Sequence, residues 1–179
     1  VALDAESKLI PSYLVGKRTA NNTQAFIKDL SNRLDNRVQL TSDSLTLYVE
    51  AVESAFGANV DYGQVVKAYE AEPLGPGRYS PPKVIRADRI VISGSPAKPK
   101  ISTSYIERQN LTMRMQMRRF TRLTNAFSKK LDNLKAAVAL HFAHYNFVRV
   151  HGSLRVTPAM AAGVTDHLWS LSELMREAN

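Results

Sequence analysis

The stretch from Val38 to Glu70 constrains the fold most, because its hydrophobic period changes twice. "VQLTSD" (Val38–Asp43) reads as a compact strand ending on an acid. "SLTLYVEAVESAF" (Ser44–Phe56) then reads as an amphipathic helix closed by Gly57, and "VDYGQVVKAYE" (Val60–Glu70) as another strand. Strands alternating with helices require a mixed α/β domain, in which helices cover the faces of a sheet. Helical patterning from Ser104 onward predicts a mostly helical C-terminal half.

Other segments extend this scheme. "VALDAESKLIPSYLVG" (Val1–Gly16) predicts two short strands about a polar turn at Asp4–Lys8. "NNTQAFIKDLSNRL" (Asn21–Leu34) places Ala25, Phe26, Leu30 and Leu34 near helical spacing after capping Asn and Thr residues. The Pro- and Gly-rich "AEPLGPGRYSPP" (Ala71–Pro82) breaks regular order, and "KVIRADRIVISG" (Lys83–Gly94) reads as a small hairpin, together an insertion near residues 71–95. Asn125–Val148 is the longest expected helix. Asp166–Ala178 is a last one, docked through Trp169 and nearby leucines. "MRMQMR" has a strand period too, but Met, Arg and Gln favour helix.

The 179 residues suffice for one domain with a real core. No apolar run reaches the roughly 18 residues of a membrane span, and no signal-peptide pattern is present, so a cytoplasmic protein is expected. With no cysteine, disulfides and thiolate metal sites are excluded. Net charge is +8, and its distribution is uneven. Ten Lys and Arg against two acids between Lys98 and Lys135 account for all of it. A localised excess of this kind suits a phosphate backbone, whose condensed counterions are released on binding. A solvated basic helix is the plainer alternative.

Two acids stand where chemistry could use them. Asp43 ends a strand and precedes a helix, and it could equally be the N-cap of a helix starting at Ser44. Glu107 opens a helix, where Ser104-x-x-Glu107 also fits a capping box. Arg114 follows Glu107 by seven residues, about two turns, with Asn110 between them on the same face and Arg118 a further turn along. Ile106, Met113 and Met117 form a separate apolar stripe. A carboxylate followed by an amide and guanidiniums suits a metal ion beside a phosphodiester, with arginines making bidentate phosphate contacts.

The segments "LTSDSLTLYVEAVESAFG", "TSYIERQNLTMRM" and "HYNFVRVHGSLRVTPAMAAG" resemble the catalytic core of bacterial insertion-sequence transposases of the DDE type, nearest the insertion-sequence-one group. The resemblance implies an RNase H-like (retroviral integrase-like) fold over residues 1–160, with 161–179 as a helical tail of the same domain. It implies that Asp43 and Glu107 are the second and third catalytic acids and ligands of Mg2+ or Mn2+, two ions in the complete enzyme. Arg114, Arg118 and Arg119 would contact DNA phosphates, with Arg108 and Arg122 further candidates. Tyr145, Asn146, Arg149, His151, Thr157 and Pro158 match a segment common after the glutamate helix, without a catalytic role. Ser44 departs from the glycine usual after the second aspartate. DNA ends and target DNA would be the substrates, a homo-oligomer the active form, and the bacterial nucleoid the place of action.

The first acid of the triad is not evident. Asp4 lies at the end of a strand in what reads as a turn, whereas an RNase H-like core carries its first aspartate within its first strand. "VALD" and "LIPSYLV" are therefore expected to be strands two and three, with strand one and its aspartate upstream of Val1. On that expectation the chain as written is a truncated core with little or no strand-transfer activity. A non-catalytic DNA-binding remnant that interferes with intact enzyme is the alternative. His141, His144 and His151 invite a zinc reading, but no carboxylate or cysteine joins them at a characteristic spacing, and packing explains them better.

Overall fold

The computed structural model describes residues 1–70, 83–121 and 125–177. They form two compact units, one of Arg18–Ser104 and one of Val1–Lys17 with Tyr105–Asn179. Together they are mixed α/β, with one three-stranded mixed sheet and helices. Among the described residues no helix is long and apolar enough to cross a membrane.

In the first unit, α1 (Ala20–Ser31) starts at Thr19, whose hydroxyl accepts from the Asn22 N–H at 3.3 Å. Its buried face is Thr23, Phe26, Ile27 and Leu30, packed against α2 (Leu47–Phe56). The expected Ala25 and Leu34 are not in that stripe: Ala25 is exposed, and Asn32 ends the helix before Leu34. Gly57, at φ 52°, closes α2 in a conformation that disfavours a side chain.

Strand β1 (Val38–Asp43) runs parallel to β2 (Val60–Tyr69), joined by α2 as a crossover. β2 pairs antiparallel on its other side with β3 (Val84–Ser93). The hairpin expected within Lys83–Gly94 is thus one strand, and its partner is β2. β3 has no Gly or Pro to reverse the chain, and its one internal turn-prone residue, Asp88, pairs with Arg86 along the extended strand. The Pro/Gly-rich segment 71–82 lies outside the described residues.

As the middle strand, β2 is buried on both faces, with Val60, Tyr62, Gln64 and Val65 inside. Gly63 allows a close approach there: a Cβ would stand 2.6 Å from Ile101 Cδ1 and 3.2 Å from the Ile90 carbonyl. After β3 the chain turns at Gly94 (φ 67°). There the Asp61 carboxylate accepts from the Ser95 N–H at 2.7 Å and is gripped by Arg37 at 2.7 and 3.0 Å. The Arg37 guanidinium and the Ser95 N–H hold the Asp61 pKa down, to about 2.

The second unit is built on α3 (Ser104–Gln116), α4 (Leu131–Ala143), and the short α5 (Pro158–Ala161) and α6 (Leu171–Glu177). Its core joins Ile10, Met113, Val138, Phe142 and Tyr145, with Val1, Leu3, Tyr13, Val15, Met117, Phe120 and Leu134 packed around them. The expected long helix begins at Leu131, not Asn125, and its last turn, His144–Val148, is a π-helix closed by an Arg149 N–H to His144 carbonyl bond of 2.9 Å.

That widened turn carries Asn146 inward. Its side-chain oxygen accepts from the Ile10 N–H at 3.0 Å and its amide nitrogen donates to the Ile10 carbonyl at 2.9 Å. One side chain thus serves both backbone groups of a buried residue, as a neighbouring strand would. The N-terminal segment needs this service because it forms no ladder of its own. Ala2 N–H bonds to the Ser12 carbonyl and Asp4 N–H to the Leu9 carbonyl, at 2.8 and 2.9 Å. The two arms slip by one residue between these bonds, and Pro11 has no N–H to offer. The expected strands therefore appear as extended arms about the Asp4–Lys8 turn.

Asn146→Ala would leave the Ile10 N–H and carbonyl buried and unpaired, each costing ~1–3 kcal/mol. Denaturant unfolding should show a loss of about 3 kcal/mol, against less than ~0.5 kcal/mol for the exposed neighbour in Arg149→Ala.

Candidate functional site

Asp43 closes β1 opposite Val65 of β2, and Ser42 lies opposite Gln64. Beneath it runs an ordered chain of hydrogen bonds. Gln64 Nε2 donates to the Tyr62 hydroxyl (2.8 Å), which lies 2.7 Å from Ser42 Oγ, which in turn donates to the Asp43 carbonyl (2.7 Å). Ser42 has one proton, so donating it to Asp43 obliges Tyr62 to donate to Ser42. Gln64 is also 3.5 Å from the Leu45 carbonyl. Tyr62 and Gln64 are buried, so the chain holds the Asp43 backbone from the protein interior while its side chain is exposed.

The Asp43 carboxylate accepts from the Leu45 N–H at 3.3 Å, an aspartate turn. It does not cap the helix, as a start at Ser44 would have required. α2 begins at Leu47, its first bonds being tight ones from Tyr48 to the Leu45 carbonyl and from Val49 to the Thr46 carbonyl. Two tyrosines register the carboxylate's charge. Burial first, and then Asp43, raises the Tyr48 pKa. Burial likewise raises that of Tyr62, with bonds from Ser42 and Gln64 opposing and Asp43 adding to it.

Glu107 and the arginines belong to the other unit, not to that of Asp43. Glu107 is exposed in the first turn of α3, and Arg114 is exposed in the last. This is the charge order the helix dipole favours, negative at the N-terminus and positive at the C-terminus. Ser104 is the first helical residue, and its N–H donates to Ser102 Oγ at 3.3 Å.

The apolar stripe is real at Met113 and mixed elsewhere. Gln109, unmarked in the sequence, is buried beside it, and its amide nitrogen has no hydrogen-bond partner among the described residues.

Arg118 does not continue the helix face. α3 stops at Gln116, Met117 is extended, and Arg118–Phe120 form a single 3-10 turn. The Thr121 hydroxyl donates to the Arg114 carbonyl at 3.2 Å, holding that turn back on the helix end. Arg108, Arg114, Arg118 and Arg119 are all exposed, and Arg119 donates to the Ser128 hydroxyl. Ion pairs form elsewhere, at Arg33–Asp29, Arg37–Asp61 and Arg86–Asp88. Arg122 lies outside the described residues.

Asp4 is engaged in its own turn. It accepts from the N–H groups of Glu6 (3.3 Å) and Ser7 (2.9 Å) and from the Ser7 hydroxyl. Burial raises its pKa, but these bonds and the Lys8 charge outweigh it and leave the carboxyl below the ordinary aspartate value.

The "YNFVRVHGSLRVTPA" residues have structural tasks. Tyr145 is in the core and Asn146 clamps Ile10. His151 donates its N–H to the Val156 carbonyl (2.9 Å), and Thr157 caps α5 through the Met160 N–H (3.2 Å) with Pro158 in its first turn. His141 lies edge-on to Phe142, with a buried Nε2 lacking a partner among the described residues. Burial, then His144 and Arg149, lowers its pKa.

Magnesium takes hard oxygen donors, and the exposed carboxylates of Asp43 and Glu107 are of that kind. Among the described residues no three His, Cys, Asp or Glu side chains gather as a metal-binding group. The donor type fits, and among the described residues a full ligand set is not assembled. Comparisons with known protein families, curated proteins and solved structures find no match.

Tyr62→Phe removes the middle link between Gln64 and Ser42. It should destabilise the protein by about 1–2 kcal/mol. Hydrogen exchange should quicken at the amides of Ser42 and Asp43 more than at those of α1.

Proposed function

We propose that this chain is the catalytic core of a DDE transposase with an RNase H-like fold, acting on DNA by metal-dependent cleavage and strand transfer. The observation that carries the reading is the run of exposed guanidiniums, Arg108, Arg114, Arg118 and Arg119, on and just beyond the helix that Glu107 heads. It is supported by the position of Asp43 at the carboxyl end of a parallel strand, where open α/β sheets present functional groups. The likeness of three sequence segments to such transposases supplies the reaction class.

In this reading Asp43 and Glu107 are ligands of Mg2+ or Mn2+, which when bound would activate the attacking oxygen and stabilise the leaving one. The arginines hold the DNA backbone through bidentate phosphate contacts. Homo-oligomers acting at the bacterial nucleoid complete the proposal.

A second reading, a DNA-binding protein without catalysis, is favoured by one observation. Asp4, the candidate first acid within this sequence, is occupied by the donors of its own turn.

Fluorescence anisotropy with a short labelled duplex tests the shared element of both readings. Affinity should fall steeply with salt, and Arg114→Ala or Arg118→Ala should each reduce the slope of log K against log[salt] by about 1 while weakening all sequences alike. No binding at low salt would overturn both. Asp43→Asn separates them: the catalytic reading predicts loss of whatever magnesium-dependent strand transfer the unsubstituted chain retains, with DNA affinity little changed. The non-catalytic reading predicts no strand transfer from the unsubstituted chain either.

A further inference from the structure

The outer edge of β3 is unlike the rest of the surface. β3 is an edge strand, with β2 on one side and no strand on the other among the described residues. It is ten residues long, and Val84, Ile85, Ile90, Val91 and Ile92 are all exposed, Ile85 by 63%. Soluble proteins normally blunt such an edge, because its free N–H and C=O groups pair with any compatible strand.

The order of side chains on one face of β3 says which strand is compatible. Over Arg86–Ile90, which pair in unbroken register with Ala68–Gln64, Arg86, Asp88 and Ile90 alternate onto the same face, and Arg86 is 2.8 Å from Asp88 within the strand. Two copies of an antiparallel strand joined by a two-fold axis normal to the sheet must centre on a residue. Centred on Ala87, the pairing sets Arg86 opposite Asp88 twice. The four charges then alternate in sign around the axis, and only the small Ala87 meets its own copy. Centring on Arg86, Asp88 or Arg89 would set like charges directly opposite, which is destabilising.

We infer that β3 pairs with β3 of a second copy of this chain, antiparallel and centred on Ala87, to make a continuous six-stranded sheet. Two ion pairs close across the axis, and the edge N–H and C=O groups around it become satisfied. The interface is small, so the association is reversible and depends on concentration.

Sedimentation across a concentration series tests this, with charge-reversed variants as its arms. The unsubstituted protein should approach twice its 19.9 kDa mass as it is concentrated. Arg86→Asp and Asp88→Arg should each stay monomeric, because each sets like charges opposite one another. Mixed in equal amounts, the two variants should recover the dimer. One then carries acids at both positions and the other carries bases at both, so every acid faces a base across the axis. The intrachain pair cannot produce that recovery. In parallel, amide exchange over residues 84–90 of the unsubstituted protein should slow on concentration, a readout that needs no variant. A monomer at every concentration, single variants that still dimerise, or a mixture that stays monomeric would each overturn the pairing.

Discussion

Parallel pairing of β1 with β2 governs the first unit, and a buried polar chain makes it specific. Val38–Asp43 are only half-buried or exposed, so hydrophobic burial alone would hold β1 in register weakly. Gln64, Tyr62 and Ser42 pass hydrogen bonds outward to the Asp43 carbonyl. Slipping the register by one residue would turn Ser42 away from Tyr62 and strand two buried polar groups of β2. The position of Asp43 at the strand end is thus set by a penalty for misplacement more than by attraction at the surface.

The second unit solves a related problem with an amide side chain. Extended residues at the N-terminus bring buried backbone groups that no ladder satisfies, and Asn146 satisfies both groups of Ile10. The π-turn of His144–Val148 is the device that turns Asn146 inward, while Trp169 packs on Phe147 from the following segment at 4.6 Å. The sequence run most suggestive of a functional motif is therefore occupied with holding the fold together.

Much of the scaffold was legible as period and punctuation: β1, β2, the close of α2 at Gly57 and the turn at Asp4–Lys8. What was not legible depended on partners distant in sequence. The start of α2 moved from Ser44 to Leu47 because Asp43 forms a turn with Leu45. The arms around Asp4 became no strands because their register slips and Asn146 replaces the missing neighbour. A complete capping box does occur, at Ser170 and Glu173, where the Ser170 N–H meets the Glu173 carboxylate at 2.7 Å and the Glu173 N–H meets Ser170 Oγ at 3.2 Å. Its S-x-x-E spacing was in plain view, and the helix expected from Asp166 obscured it. Of the candidate site, the exposure of Glu107 and the arginines followed from helical period. The turn after Gln116 that takes Arg118 off the α3 face did not, since Met117 is as good a helix former as its neighbours.

The proposal rests on Asp43 and Glu107 serving one kind of ion, and this can be observed without any turnover. Paramagnetic broadening by a trace of Mn2+ would be followed in the amide spectrum of the isotopically labelled protein. If both carboxylates are metal ligands, amides around Asp43 and around Glu107 broaden at low Mn2+, magnesium reverses it, and Asp43→Asn or Glu107→Gln removes it around the substituted residue. Broadening at neither acid, or broadening that survives substitution of the acid concerned, would contradict metal binding there and leave Glu107 as a helix-terminal charge and Asp43 as a turn residue.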